Sequence, residues 1–208
     1  MSNMYDETGT WNPAKGCEFD CSYCEYSFQK QAKRQKNLCE KCYNYEPHTH
    51  PERLKTSKIP SKDIVFVCGN GDISFYPTSF IEKIIETIKK HNKNCPYKDY
   101  YFQSKQPSTF RRFKNKLPEN CYLVTTLETN RDKNYGKYSD APKPRRRYRD
   151  FKRLDYPRKI ITVEPVFDFD LDKFFSMLMS VNIEYLWFGF NSRPKKVEHP
   201  EPSEEKAQ

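Results

Sequence analysis

Short runs of β-branched and aromatic residues alternate along the chain with segments whose apolar positions recur at three- and four-residue steps. "DIVFVCG" (63–69) has the composition of a buried strand, and "YYFQSK" (100–105), "CYLVTTLETN" (121–130), "KIITVEPVFDF" (159–169) and "EYLWFGFN" (184–191) repeat the pattern. A short strand near Thr8–Trp11 brings the number to six. Between them, "TSFIEKIIETIKK" places Phe80, Ile81, Ile84, Ile85 and Ile88 on one helical face, with Ser79 and Glu82 spaced as a capping box. Ser108 is positioned to cap a short basic helix "TFRRFKNK", a further helix is expected near 146–154, and Leu171, Phe174, Phe175 and Leu178 fit another.

Strand alternating with helix predicts parallel βα units. Six are too few for a closed eight-stranded barrel and suit a partial (β/α)6 barrel of the TIM type, in which chemistry gathers at the strand C-termini. Those ends are polar here: Cys17 to Cys24, "GNGD", "SKQP", "ETNR", "EPVFD" and "NSR" in turn. One site built from six ends accounts for them better than six unrelated loops.

Composition narrows the class. At 208 residues and 36% hydrophobic, one domain over 1–195 is expected, followed by a Pro-rich, charged and disordered tail at 196–208. No apolar run approaches the roughly 20 residues a membrane helix needs, and the start "MSNMYDETGTWNP" has no apolar signal region. Eight cysteines in that context point to a reducing, cytoplasmic setting and to metal binding rather than disulfides. The net charge of +9 is concentrated: 131–159 holds 12 Lys/Arg against 4 Asp.

"CEFDCSYC" sets Cys17, Cys21 and Cys24 at C-x3-C-x2-C, with Tyr23 before the last. Three thiolates on a four-iron cluster leave one iron open to a small molecule; the alternative is zinc with a fourth ligand from Cys39 or Cys42. "CEKCYNYEPHTHPERL" carries a second set, Cys39, Cys42, His48 and His50, inside a small insertion at 36–54. C-x2-C followed by two histidines is a zinc-like ligand set, although H-x-H is shorter than in common fingers, and an iron–sulfur site or no metal are the alternatives. Cys68, Cys95 and Cys121 read as buried apolar side chains, and His91 as a helix C-terminal dipole contact.

The chain resembles the radical SAM superfamily, and within it the small phage and archaeal Gp37/Gp68-like (DUF5131) proteins, through "TWNPAKGCEFDCSYC", "HPERL", "VFVCGNGDIS", "TTLETNRD", "ITVEPVFDFD" and "WFGFNSRP". The resemblance implies a [4Fe–4S] cluster on Cys17, Cys21 and Cys24. S-adenosylmethionine (AdoMet) would chelate the open iron, and a flavodoxin or ferredoxin would supply the electron. Reductive cleavage then gives a 5′-deoxyadenosyl radical that abstracts a hydrogen from a substrate the resemblance does not name. It places the Tyr23 backbone near the adenine and "GNGD", with Asn70, Gly71 and Asp72, where the family's glycine-rich motif binds the amino group; Asn70 and Asp72 depart from the usual residues, and a plain tight turn is the alternative. Glu128 and Asn130 suit ribose hydroxyls or the methionyl ammonium. Glu164 suits substrate or AdoMet, or else a buried ion pair. Ser104, Lys105 and Asn191 are further AdoMet or substrate positions, or ordinary loop residues.

The basic block sets Arg145, Arg146 and Arg147 beside several tyrosines, a pattern that fits phosphate pairing and base stacking and hence a nucleic-acid or phosphate-bearing substrate, or a solvated basic helix. The rival classes are a non-catalytic zinc protein that binds nucleic acid, and a barrel that binds AdoMet without radical chemistry.

Overall fold

The computed structural model describes residues 8–207; residues 1–7, which include most of the stretch inspected for a signal region, and Gln208 lie outside it. Strand β1 (Thr8–Trp11) leads into a two-stranded antiparallel ribbon of β2 (Ala14–Lys15) and β3 (His48–Thr49). Then come β4 (Ile64–Val67), β5 (Asp99–Gln103), β6 (Cys121–Thr126), β7 (Lys159–Val163) and β8 (Tyr185–Phe188). β1, β4, β5, β6, β7 and β8 form one parallel sheet in that order, each strand pairing with its sequence neighbours in the sheet. This is the partial TIM-type barrel expected.

The strands read as continuous apolar runs because the sheet is covered on both faces. Val65, Val67, Tyr100, Phe102, Leu123, Ile161 and Val163 join the larger core on the helical side. The alternate residues Phe66, Tyr101, Tyr122, Val124 and Ile160 form a separate inner cluster, with Trp187 packed against it. The period-2 alternation of strand side chains thus divides each strand between two cores.

The helix Thr78–Asn92 buries the expected face: Phe80, Ile81, Ile84, Ile85 and Ile88. It lacks the capping box. Pro77 precedes the first turn and its carbonyl accepts from the amides of Phe80 (2.9 Å) and Ile81 (3.1 Å), while Glu82 pairs with Lys116 instead. The basic helix expected after Ser108 is a pair of 3₁₀ turns, Pro107–Arg112 and Lys114–Lys116, without a side-chain cap. Phe110 and Phe113 lie three apart, the spacing that a 3₁₀ turn places on one face, and both are buried. Pro144 occupies the first turn of the helix Pro144–Lys152. In Leu171–Met179, Phe174 and Met177 face inward while Leu171 and Phe175 are exposed, so the expected stripe is rotated by part of a turn.

The first crossover is helical without a break from Ser22 to Gln35, with a π-helical stretch at Glu25–Gln29 and a 3₁₀ end, and continues through the helix Glu40–Asn44 and 3₁₀ turns at Pro51–Arg53 and Thr56–Lys58. The described part of the tail packs back on the strand ends. The His199 ring stacks on Phe167 at 4.8 Å, and Lys206 pairs with Asp168 at 2.6 Å. No helix among the described residues is long and apolar enough to cross a membrane.

Ile84 is fully buried between the helix and the sheet. Ile84→Ala is expected to lower unfolding free energy by about 2–5 kcal/mol, read as a shift in the urea midpoint with unchanged slope.

Candidate functional site

The cysteine loop leaves the ribbon through Gly16, whose φ of +91° and whose closeness to Glu46 forbid a side chain: a Cβ there would lie 2.0 Å from the Glu46 carbonyl oxygen. Gly71 faces it, and a Cβ on Gly71 would fall 2.5 Å from the Gly16 carbonyl oxygen. The two form an isolated parallel bridge, with the Gly16 amide donating to Asn70 O at 3.0 Å and Tyr76 Oη donating to Gly16 O at 3.0 Å. The glycine of "GNGD" thus lets the chain approach itself, and it docks the end of β4 against the root of the cysteine loop.

Beyond Gly16, Cys17 anchors through its amide to Tyr45 O at 3.1 Å, and its Sγ accepts from the Phe19 amide at 3.5 Å. Cys21 is buried, with Ser139 Oγ at 3.0 Å and Lys105 Nζ at 3.3 Å from its sulfur. The hydrogen bond with Cys24 and the Lys105 charge push the Cys21 thiol below its ordinary range against the effect of burial. The same Cys21 bond and burial push Cys24 up, and burial followed by Asp72 raises Cys17. Cys21 is therefore the thiol poised as a thiolate, the form that binds metal.

All three cysteines open onto a cavity of about 410 Å³. Its walls come from the strand ends: Thr10, Gly69, Asn70, Gly71, Asp72, Gln103, Lys105, Thr126, Glu164, Pro165, Asn191, Ser192 and Arg193. Five of the six polar ends reach the cavity; "ETNR" does not, and its strand contributes Thr126 instead.

Glu128, expected among the ligand-facing groups, is fully buried and is not part of the cavity wall. Its Oε1 accepts from Tyr23 Oη (2.6 Å), Lys105 Nζ (2.7 Å) and Tyr135 Oη (3.1 Å), and its Oε2 from Arg147 Nη2 (2.6 Å). Burial opposes its charge, but Arg147 and Lys105 hold the carboxyl at about 2. Arg147, expected as a phosphate contact, is completely buried in this pair and also donates to Thr126 O at 2.5 Å. Lys105 lies 4.2 Å above the Tyr23 ring, and that ring is engaged through its hydroxyl as well. Arg145 and Arg146 are exposed, with Arg145 Nε donating to Asn130 O at 3.0 Å.

The other predicted positions divide between structural and available. Asp72 is saturated: Oδ1 accepts from the Ser74 amide, Ser74 Oγ and Ser104 Oγ, and Oδ2 from the Lys105 amide. Ser104 is buried and spent in that network. Asn191 donates to Val197 O at 2.7 Å. Asn130 Oδ1 accepts from the Asp170 amide, while its buried Nδ2 has no partner. Glu164, expected either in an ion pair or at a ligand, has no ion-pair partner among the described residues; its buried Oε2 is unpaired, and burial raises its pKa. Tyr135, expected among the stacking tyrosines of the basic block, is buried and donates to Glu128, and Ser139, which touches Cys21, falls in an aperiodic stretch without a sequence signal.

Cys39, Cys42, His48 and His50 meet at the ribbon, their ligand atoms all within 4.8 Å of one another. Cys68 and Cys121 are buried as expected and Cys95 is half-buried. His91 Nδ1 lies 2.7 Å from Tyr100 Oη, and burial lowers its pKa, so this neutral bond replaces the charged dipole contact.

No protein-family profile matches the sequence, and no curated protein matches it. Solved structures of spore photoproduct lyase share its fold. A cysteine-to-serine mutant of that lyase superposes with a TM-score of 0.56 at 12% identity over 90% of this chain and 57% of that one. A double mutant with bound AdoMet and dinucleoside spore photoproduct gives 0.55 at 12% identity over 88% and 56%. A cysteine-to-alanine mutant with the dinucleoside photoproduct gives 0.53 at 11% over 85% and 54%. The chain spans a little over half the length of these lyases.

Replacing Glu128 by Gln would leave two buried cations without a counter-charge, and a loss of about 3–5 kcal/mol is expected. The pH dependence has a fixed sign. A carboxyl lowered from 4.5 to about 2 stabilises the fold fully above 4.5 and loses that contribution as pH falls towards 2. Chemical denaturation of wild type and Glu128→Gln should therefore differ most above pH 4.5 and converge below it.

Proposed function

We propose that the chain is a radical SAM enzyme whose [4Fe–4S] cluster is held by Cys17, Cys21 and Cys24, with AdoMet in the adjoining cavity. The observation that carries this is the convergence of three thiols and the polar strand ends on one cavity at the C-terminal face of a partial barrel. The residues present fit both groups. The three thiols line one cavity with room beside them for a second molecule. The cavity also holds one buried carboxylate oxygen, Glu164 Oε2, that lacks a partner.

When bound, the cluster supplies the electron for reductive cleavage of AdoMet. The chain's own part is to bind, orient and exclude water. Lys105 balances the thiolate charge next to Cys21, and Ser139 Oγ holds that sulfur from the other side. Glu164 is the acid suited to the methionyl ammonium: Asp72 is saturated and Glu128 is enclosed, whereas Glu164 regains a partner on binding a cation. A net charge of +9 favours an acidic electron donor such as a flavodoxin or ferredoxin.

A nucleotide-containing substrate is the reading favoured for the molecule attacked. Beside the thiol cavity a second one of about 620 Å³ has aromatic walls of Tyr135, Tyr138 and Phe167, and a rim of mixed charge in which Arg131, Lys133 and Arg145 stand among Asp132, Asp168 and Asp170. Arg131 is committed to Asp168 and Asp170, whereas Lys133 and Arg145 form no ion pair among the described residues, although Arg145 Nε donates to Asn130 O. The dinucleoside bound by the similar lyase agrees with this class.

Two experiments test the proposal. Anaerobic protein should hold four irons per chain and release 5′-deoxyadenosine with AdoMet and a reductant. Cys21→Ala should lose both, and Glu164→Gln should keep the iron but bind AdoMet roughly tenfold or more weakly, because a charge-assisted bond contributes about 1.5–3 kcal/mol. Full iron in Cys21→Ala would overturn the cluster assignment, and unchanged affinity in Glu164→Gln would move that carboxylate to another role. Oligonucleotide affinity should fall with salt at about 0.7–0.9 logarithmic units per phosphate neutralised. Lys133→Ala/Arg145→Ala should flatten that slope by roughly 1.5 units, at equal iron content. A slope untouched by the double change would favour a small, uncharged substrate.

A further inference from the structure

We infer that Cys39, Cys42, His48 and His50 bind one structural zinc ion, and that this ion clamps the root of the loop carrying Cys17. The zinc assignment stands independently of the radical SAM proposal; only the meaning of the clamp rests on it.

Four donor atoms close on one place. Cys39 Sγ lies 3.4 Å from His48 Nε2, and Cys42 Sγ lies 3.3 Å from His48 Nε2 and 3.2 Å from His50 Nε2. Zinc–sulfur bonds of about 2.3 Å and zinc–nitrogen bonds of about 2.0–2.1 Å at tetrahedral angles require sulfur–nitrogen separations near 3.5 Å. These three contacts are within a few tenths of an ångström of that separation, and all four donor atoms lie within 4.8 Å of one another. The far nitrogen of each ring is engaged: His48 Nδ1 is 2.7 Å from Glu46 O and His50 Nδ1 is 2.9 Å from a Glu52 carboxylate oxygen. Such outer bonds fix the tautomer that presents a bare Nε2 to a metal. The Cys42 amide reaches Cys39 Sγ at 3.4 Å, a donor suited to a thiolate.

The spacing excludes a two-iron cluster. In a Cys₂His₂ [2Fe–2S] centre the histidines sit on one iron and the cysteines on the other. Sulfur and imidazole would then be held well apart, whereas here they are in mutual contact. Two thiolates and two neutral imidazoles also balance a divalent zinc ion without leaving charge in a partly buried site.

The clamp follows from the backbone. Lys15 pairs with His48 and Ala14 with Thr49 across the ribbon, and the His50 amide donates to Pro13 O at 2.6 Å. The Cys17 amide donates to Tyr45 O, between the cysteine pair and the histidine pair. An ion that joins residues 39–42 to 48–50 thus fixes the frame on which Cys17 hangs.

The test uses full-length protein expressed in zinc-supplemented medium and purified in air. Elemental analysis should find one zinc per chain in wild type and in the Cys17→Ala/Cys21→Ala/Cys24→Ala variant. Cys42→Ser should hold none. Should that variant fail to fold, titration of wild type with a mercurial reagent and a zinc-binding dye should still release one zinc per chain. Cobalt(II) loaded in its place should give the visible bands of a tetrahedral site with thiolate charge transfer. Wild type without zinc, or zinc lost from the triple variant, would overturn the assignment. Hydrogen exchange reads the clamp separately: amides 14–17 should lose protection when zinc is removed, and protection that stays unchanged would overturn the clamp while leaving the zinc in place.

Discussion

The fully buried Glu128 carboxylate is the constraint on which the site depends. It sits just past β6 and gathers Tyr23 from the cysteine loop, Lys105 from the end of β5, Tyr135 from the following loop and Arg147 from the next helix. Desolvating an isolated carboxylate is prohibitive. Desolvating one that accepts four hydrogen bonds, two of them from cations, is tolerable, and the geometry of all four donors is then fixed together. Through Tyr23 and Lys105 the charge of one strand end determines where Cys21 and Cys24 lie.

A second constraint acts at shorter range. Gly16 and Gly71 bring two backbones together more closely than any side chain permits, and Asp72 ties the same turn to Ser104 and to the Lys105 amide. Lys105 is thereby positioned twice, by Asp72 at its backbone and by Glu128 at its ammonium. A lysine so held bridges the Glu128 carboxylate and the Cys21 sulfur at once, which suits it to a fixed electrostatic role.

These arrangements explain which parts were legible in the sequence. Strand count and order were readable because a parallel sheet covered on both faces writes itself as apolar runs, and the cavity was readable because each run ends in polar residues. Cys39, Cys42, His48 and His50 could be grouped from spacing alone because the ribbon joining them is short. The roles of Glu128 and Arg147 were not. Arg147 stands among five arginines within nine residues, and nothing local distinguishes the one that turns inward; the helix Pro144–Lys152 buries it together with Phe151. Ser79 and Ser108 failed as caps because neighbouring prolines, Pro77 and Pro107, set where each turn starts.

Two sulfur sites lie one ribbon apart, and donor spacing sorts them. Mixed sulfur and nitrogen donors in mutual contact enclose a single small ion and leave it no open position, which is the condition for a structural zinc. Three thiols lining a cavity offer one donor fewer than a closed four-coordinate shell takes. They can hold a larger cluster from one side and leave its far corner towards the strand ends, where Glu164 faces inward without a partner. The closed set belongs where rigidity is needed, at the root of the loop. In the proposed enzyme the open set sits where a second molecule enters, and Glu164, whose buried Oε2 has no partner among the described residues, lies in the wall that a cationic one would meet.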